Sequence, residues 1–176
     1  MHEQNILSIL ALFQSQMLCR CQPSSNHKNV MAVFTQRNSN LIESIITECR
    51  VCPPVDFTKG EMPTKVYTSQ NAMWDTGATN TLISPKIVKL LGLKPFGKSG
   101  ISSANGIIET NTYLAHIGIP SGSVVTNVLV LENENDDYEV VIGMDIISRG
   151  DFVFTNHEGH STFSFRIPSE EEIILK

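Results

Sequence analysis

The sequence predicts an all-β domain with one or two short helices, preceded by a helical extension, and three features carry that reading. From about residue 55 onward, short β-rich apolar runs alternate with turn residues, the pattern of half-buried strands. Within that region Ser84-Pro85 stands where an N-cap and a proline at the first helical position would open a helix over 86–91, and Gly92 stands where a glycine cap would close it. Residues 1 to about 55 differ: Ile6, Ile9, Leu10, Phe13 and Met17 recur at helical spacing. The expected organisation is a helical, cysteine-bearing extension over 1–55, a β-domain over 56–168 and an acidic tail over 169–176.

The elements follow in order. In the extension, a polar loop over 22–28 contains Pro23, and a second helix is expected from Asn40, because Asn40 and Glu43 stand three apart like a capping box ahead of Ile45 and Ile46. Cys52-Pro53-Pro54 then breaks the chain. Runs over 67–71 and 72–74 lead into Asp75-Thr76-Gly77-Ala78, with Thr81-Leu82-Ile83 directly after. Runs over 101–103 and 107–110 flank Ala104-Asn105-Gly106, and Asn-Gly between strand-like runs is a hairpin signal. A further pair, 112–119 and 124–132, is joined through Ser121-Gly122-Ser123. The apolar run 139–142 reads as a buried strand ending at Gly143, and the last strands are expected over 152–155 and 163–167. There is no internal repeat, and Glu170-Glu171-Glu172 marks a solvated tail.

Bulk properties narrow the function classes. A chain of 176 residues with 41% apolar and 18% charged residues has the composition of a globular protein. A formal net charge of -5 and the lack of a dense Lys/Arg cluster argue against nucleic acid as a partner, since phosphate binding is dominated by neutralising cations. The apolar run 6–13 is too short to span a bilayer, and the residues before it lack the positive charge of a secretory leader, so no membrane partner and a cytoplasmic setting are expected. The four cysteines, Cys19, Cys21, Cys49 and Cys52, all lie in the first third. A C-x-C followed by a C-x-x-C is a candidate zinc set, but the alternative of reduced thiols is favoured, and no cofactor is expected.

Asp75-Thr76-Gly77 is weak evidence alone, because such a tripeptide arises by chance. Its context is more specific: two bulky apolar residues, Met73 and Trp74, precede the aspartate, and an apolar strand follows. With Ala72-Met73-Trp74-Asp75-Thr76-Gly77-Ala78-Thr79, with Val140-Val141-Ile142-Gly143-Met144-Asp145-Ile146-Ile147, and with Asn105-Gly106 between them where a flap tip would fall, the chain resembles the retropepsin-like aspartic peptidases over about residues 62–167. The helix after the Asp75 motif and the Gly-x-Asp form at Gly143 to Asp145 are more similar to the cellular and bacterial branch than to the compact retroviral enzymes. The resemblance implies a closed β-barrel half-site that pairs with a second copy and hydrolyses peptides. Asp75, Thr76 and Gly77 would be the catalytic set. Ala78 with Ser103, Ala104, Asn105 and Gly106 would bind an extended peptide. Retroviral members pair an acidic residue two places after the motif glycine with an arginine one place after the glycine of the later motif; here Thr79 and Met144 occupy those positions, so no buried charge is orphaned.

The chemistry explains the need for a homodimer. Hydrolysis by two carboxyls uses one ionised group to take a proton from water and one protonated group to polarise the carbonyl. A single motif supplies one, and a twofold axis supplies the other. Other readings stand beside this one. Asp75 could be an ordinary turn residue, Asp145 could N-cap a short helix, Trp74 is expected in the core, and His157 and His160 read as a polar turn. The functional competitors are a dimeric peptide-binding module without turnover and a zinc-dependent interaction domain built on the cysteines.

Overall fold

The computed structural model describes residues 32–103, 106–133 and 137–176. The helix expected over 6–17 and the cysteines Cys19 and Cys21 lie outside them. One compact unit comprises Ala32–Pro54 and Pro63–Lys176. Val55–Met62 belongs to a different unit and contains the short 3-10 turn Phe57–Lys59, opened by Asp56, whose carboxylate accepts from the Thr58 amide, and closed by Gly60 at φ 74°.

The strands are β1 (Ala32–Asn38), β2 (Ile45–Cys52), β3 (Tyr67–Trp74), β4 (Leu82–Ile83), β5 (Gly97–Ser103), β6 (Gly106–Gly118), β7 (Val124–Glu132), β8 (Val140–Ile142), β9 (Asp151–His157) and β10 (His160–Ile167). Two helices interrupt them, α1 (Pro85–Leu91) and α2 (Met144–Ile147). Neighbouring strands run in the order β2-β3-β8-β4-β7-β6, and a further β2–β6 pairing closes this ring into a six-stranded barrel, with β5 added as a hairpin on β6. A separate three-stranded sheet has the order β1-β10-β9. No helix among the described residues is long and apolar enough to cross a membrane.

The helix expected from Asn40 is absent: residues 45–52 form strand β2, paired with β3 and β6. The reason lies in the period. Thr47, Cys49 and Val51 are buried and alternate with the less buried Glu48 and Arg50, which pair with each other at 2.9 Å on the outer side. That two-residue period, with β-branched Ile45, Ile46, Thr47 and Val51, outweighs a capping-box coincidence. Residues on both sides of position 55 therefore share the barrel. The same strand bears on the zinc set: Cys49 and Cys52 are buried, and three residues apart on a strand they fall on opposite faces. Burial, aided by Glu48, pushes the Cys49 thiol up to about 12, and burial pushes Cys52 up to about 12.

Other elements follow the sequence. Helix α1 begins at Pro85 and ends at Gly92, which adopts φ 67°. Ser84 occupies the N-cap position, but its side chain makes no cap bond. The β5–β6 hairpin forms, with Ser103 opposite Gly106 and Ala104 and Asn105 between them in the sequence. Those two residues lie outside the described set. Asp145 does not cap α2; Gly143 is the N-cap and Asp145 sits in the first turn.

Two layers of apolar residues hold the unit together. Inside the barrel, Val51, Ala72, Ile83, Ile117, Val130, Val140 and Ile142 are buried. Trp74, 5% exposed, joins the barrel to the three-stranded sheet: its ring lies 5.0 Å from Phe163 and 4.8 Å from Phe165 by centroid, with Phe34 and Phe152 at 5.9 and 6.3 Å. Its indole N–H donates to Thr47 Oγ1 at 3.0 Å, so the polar edge is satisfied while the rings pack. The tail is partly tied down. Arg166 pairs with Asp151 and Glu171, and Asp151 also accepts from Ser169 and the Glu170 amide.

At the entrance to β8, Glu139 accepts from Tyr67 at 2.6 Å, Ser69 at 2.8 Å and Lys86 at 2.7 Å, linking β3, β8 and α1. Burial alone would raise the Glu139 carboxyl; the hydrogen bonds from Lys86, Tyr67 and Ser69 outweigh it and hold the group below the usual range. A depressed carboxyl contributes stability above its unfolded value, about 4.3 for glutamate, and loses it as the pH falls through the lower folded one. Glu139→Gln should therefore unfold at a lower midpoint than the parent at pH 7, and the two midpoints should converge in acid. Parallel midpoint-versus-pH curves in thermal melts would contradict this.

Candidate active site

The topology places the Asp75 loop under a tight constraint. Strand β8 lies between β3 and β4, parallel to β3 and antiparallel to β4. A chain leaving β3 at Trp74 must therefore pass over the end of β8 to enter β4, a step of two interstrand spacings or about 9.6 Å. Residues 75–81 make that crossing, and β8 leaves beneath them through Gly143.

Four backbone amides donate hydrogen bonds between the crossing loop and the segment below. The Asp75 amide donates to the Ile142 carbonyl at 3.0 Å, the Met144 amide to Ala78 at 2.8 Å, the Asp145 amide to Thr79 at 3.1 Å, and the Gly143 amide to Thr81 Oγ1 at 3.2 Å. Gly143 lets the segments meet this closely. A Cβ there would stand 2.6 Å from both the carbonyl carbon and oxygen of Asn80 and 2.9 Å from the Ala78 oxygen, distances that real Cβ atoms do not tolerate.

Asp75 is half-buried at the head of this loop, and Thr76 and Gly77 are exposed beside it. The Gly77 amide donates to Asp75 Oδ1 at 2.8 Å, and the Ala78 amide donates to the Asp75 carbonyl at 3.2 Å. The carboxylate is thus aimed by its own turn. A Cβ on Gly77 would come within 3.1 Å of Oδ1 and press on it.

The carboxylate faces an open groove of about 400 Å³ walled by Ile45, Met73, Trp74, Phe152 and Phe154, with Glu43 and Thr76 along it. The structure brings Asp75, Thr76, Gly77 and Ala78 together on one loop. Ser103 and Gly106 sit on the β5–β6 hairpin, a different element, and Ala104 and Asn105 lie outside the described residues. Glu43, Phe152 and Phe154 were not expected as site residues from the sequence, because only the tertiary packing carries them to the groove. Among the described residues no group of three His, Cys, Asp or Glu side chains could hold a metal. The arrangement offers one carboxylate, oriented by its own turn, at the edge of a groove.

Residues 67–149 match the family described as "gag-polyprotein putative aspartyl protease", a span from β3 through α2. Solved structures similar to this chain include a retropepsin-like aspartic protease from Rickettsia conorii, at 14% identity and a TM-score of 0.45, covering 78% of this chain and 95% of that one. The simian foamy virus (mac) protease is similar at 19% identity and a TM-score of 0.39, over 59% of this chain and 92% of that one. No curated protein matches.

Replacing Gly143 by alanine should push the two segments apart, with an overpacking cost of about 1–3 kcal/mol in urea unfolding. A Gly143→Ala variant as stable as the parent would contradict the close approach.

Proposed function

We propose that this chain, whose segment 67–149 matches the gag-polyprotein putative aspartyl protease family, is an endopeptidase that cuts peptide bonds with two copies of Asp75, one from each subunit of a homodimer. The single observation that carries this reading is the pinned loop. Asp75 is held by the Gly77 amide at the mouth of a groove, in a chain that offers one such motif.

Two carboxyls about 3 Å apart, as in aspartic proteases generally, cannot both ionise, so the pair shares one proton. The ionised Asp75 takes a proton from water as the water attacks the scissile carbonyl, and the protonated Asp75 hydrogen-bonds the carbonyl oxygen. Thr76, exposed beside Asp75, bonds across the axis through its hydroxyl. Gly77 lets the substrate backbone approach. The β5–β6 hairpin, with Ser103 and Gly106 at its last pair and Ala104 and Asn105 between them, serves as the flap over a peptide bound as an added strand. A cytoplasmic setting suits the reduced, buried Cys49 and Cys52.

Asp75→Asn should lower kcat/KM on a cleaved peptide by on the order of 10²–10⁴-fold, the usual weight of an acid–base group. It should leave thermal unfolding close to the parent's. The parent's specific activity should also rise with protein concentration as dimers form. An Asp75→Asn protein that turns over like the parent would overturn the proposal, and so would a specific activity that belongs to the monomer.

A further inference from the structure

Asp145 is the acidic residue of the Gly143 motif that the proposed chemistry leaves unused, and it does not cap its helix. Its carboxylate instead reaches the crossing loop. Asp145 Oδ1 accepts a hydrogen bond from Thr81 Oγ1 at 2.7 Å. Thr81 is fully buried, and its hydroxyl oxygen in turn accepts from the Gly143 amide at 3.2 Å. The hydroxyl is therefore used in both directions, donor to the carboxylate and acceptor from the backbone. Because a hydroxyl has one proton, the carboxylate decides where it points: with Oδ1 accepting, the lone pairs of Thr81 are turned to the Gly143 amide.

We propose that Asp145 is a positioning residue for the Asp75 site, acting through Thr81 to lock the crossing loop onto the Gly143 turn. This rests on the peptidase reading of Asp75 given above. The Asp145 backbone takes part in the same clamp, since its amide donates to Thr79, and Arg149 Nε holds the Asp145 carbonyl at 2.7 Å. One residue thus ties the loop at Thr79 by main chain and at Thr81 by side chain, four and six positions after Asp75. The acidic side chain acts as a hydrogen-bond acceptor and gives no proton to the reaction. An amide oxygen in its place can accept the same bond; a methyl group cannot.

The test uses the full chain and four variants, Asp145→Asn, Asp145→Ala, Thr81→Ser and Thr81→Val, each measured for kcat and KM against a cleaved peptide, for pH profile and for backbone amide exchange. Asp145→Ala and Thr81→Val should lose kcat by on the order of 10²-fold, the effect of a reacting group displaced by about 1 Å, with KM changed less than about threefold. Asp145→Asn and Thr81→Ser should recover most of the kcat, and Asp145→Asn should keep the parent's pH profile. The Gly143 amide should exchange faster in the Ala and Val variants and at the parent's rate in the conservative ones.

A folded Asp145→Ala protein with parent kcat and parent exchange at Gly143 overturns the proposal. So does an Asp145→Asn protein as impaired as Asp145→Ala, or one with a displaced pH profile, because the charge itself would then be in use. If the parent cleaves no peptide, the peptidase reading fails, and the exchange measurements still decide the clamp: unchanged Gly143 protection in Asp145→Ala and Thr81→Val refutes it, and selective loss supports it.

Discussion

The passage of residues 75–81 over the end of β8 is the constraint on which the rest of the structure depends. Two strands that flank a third must be joined by a loop that leaves room for the third to exit, and here the exit is Gly143. Backbone groups that would otherwise be stranded at the ends of β3 and β8 satisfy one another across the crossing, through Asp75 to Ile142, Met144 to Ala78 and Asp145 to Thr79. A loop held at so many points has little freedom, and the residue at its head inherits that rigidity. Asp75 is fixed by the strand crossing itself.

The surrounding fold serves this crossing from two sides. The Glu139 cluster ties the start of β8 to β3 and α1, so that the short β8 keeps its register against Trp74. On the other side, Trp74 is buried among phenylalanines of β1, β9 and β10, which anchors the last residue before Asp75 to the three-stranded sheet. The same β9 contributes Phe152 and Phe154 to the groove beside the carboxylate. Stability and site geometry are therefore coupled through one residue, Trp74, whose ring packs in the core while its successor faces the groove.

Much of this was legible because local rules and tertiary needs agreed. Pro85 and Gly92 bound α1 where their backbone preferences require, and Trp74 is buried as an apolar residue ahead of a turn should be. The Asp75 loop and the Gly143 turn could be recognised as motifs, but the contact between them could not be read from spacing alone. The helix expected at Asn40 shows the opposite case. A capping-box pattern competed with a two-residue period at Thr47, Cys49 and Val51, and the need to close the barrel between β3 and β6 favoured the strand. Asp145 was legible as a helix-start residue but not as the partner of Thr81, because that bond spans 64 positions and exists only once β8 lies under the loop.

The central claim is that catalysis requires a carboxyl from each of two chains at one site. The most direct measurement is a calorimetric titration of the protein with a peptide whose scissile bond is replaced by a secondary-hydroxyl isostere, combined with sedimentation of the bound form. The account predicts one peptide bound per two chains, a sedimenting dimer, and no tight binding by Asp75→Asn. One peptide bound per chain on a species that sediments as a monomer would contradict it.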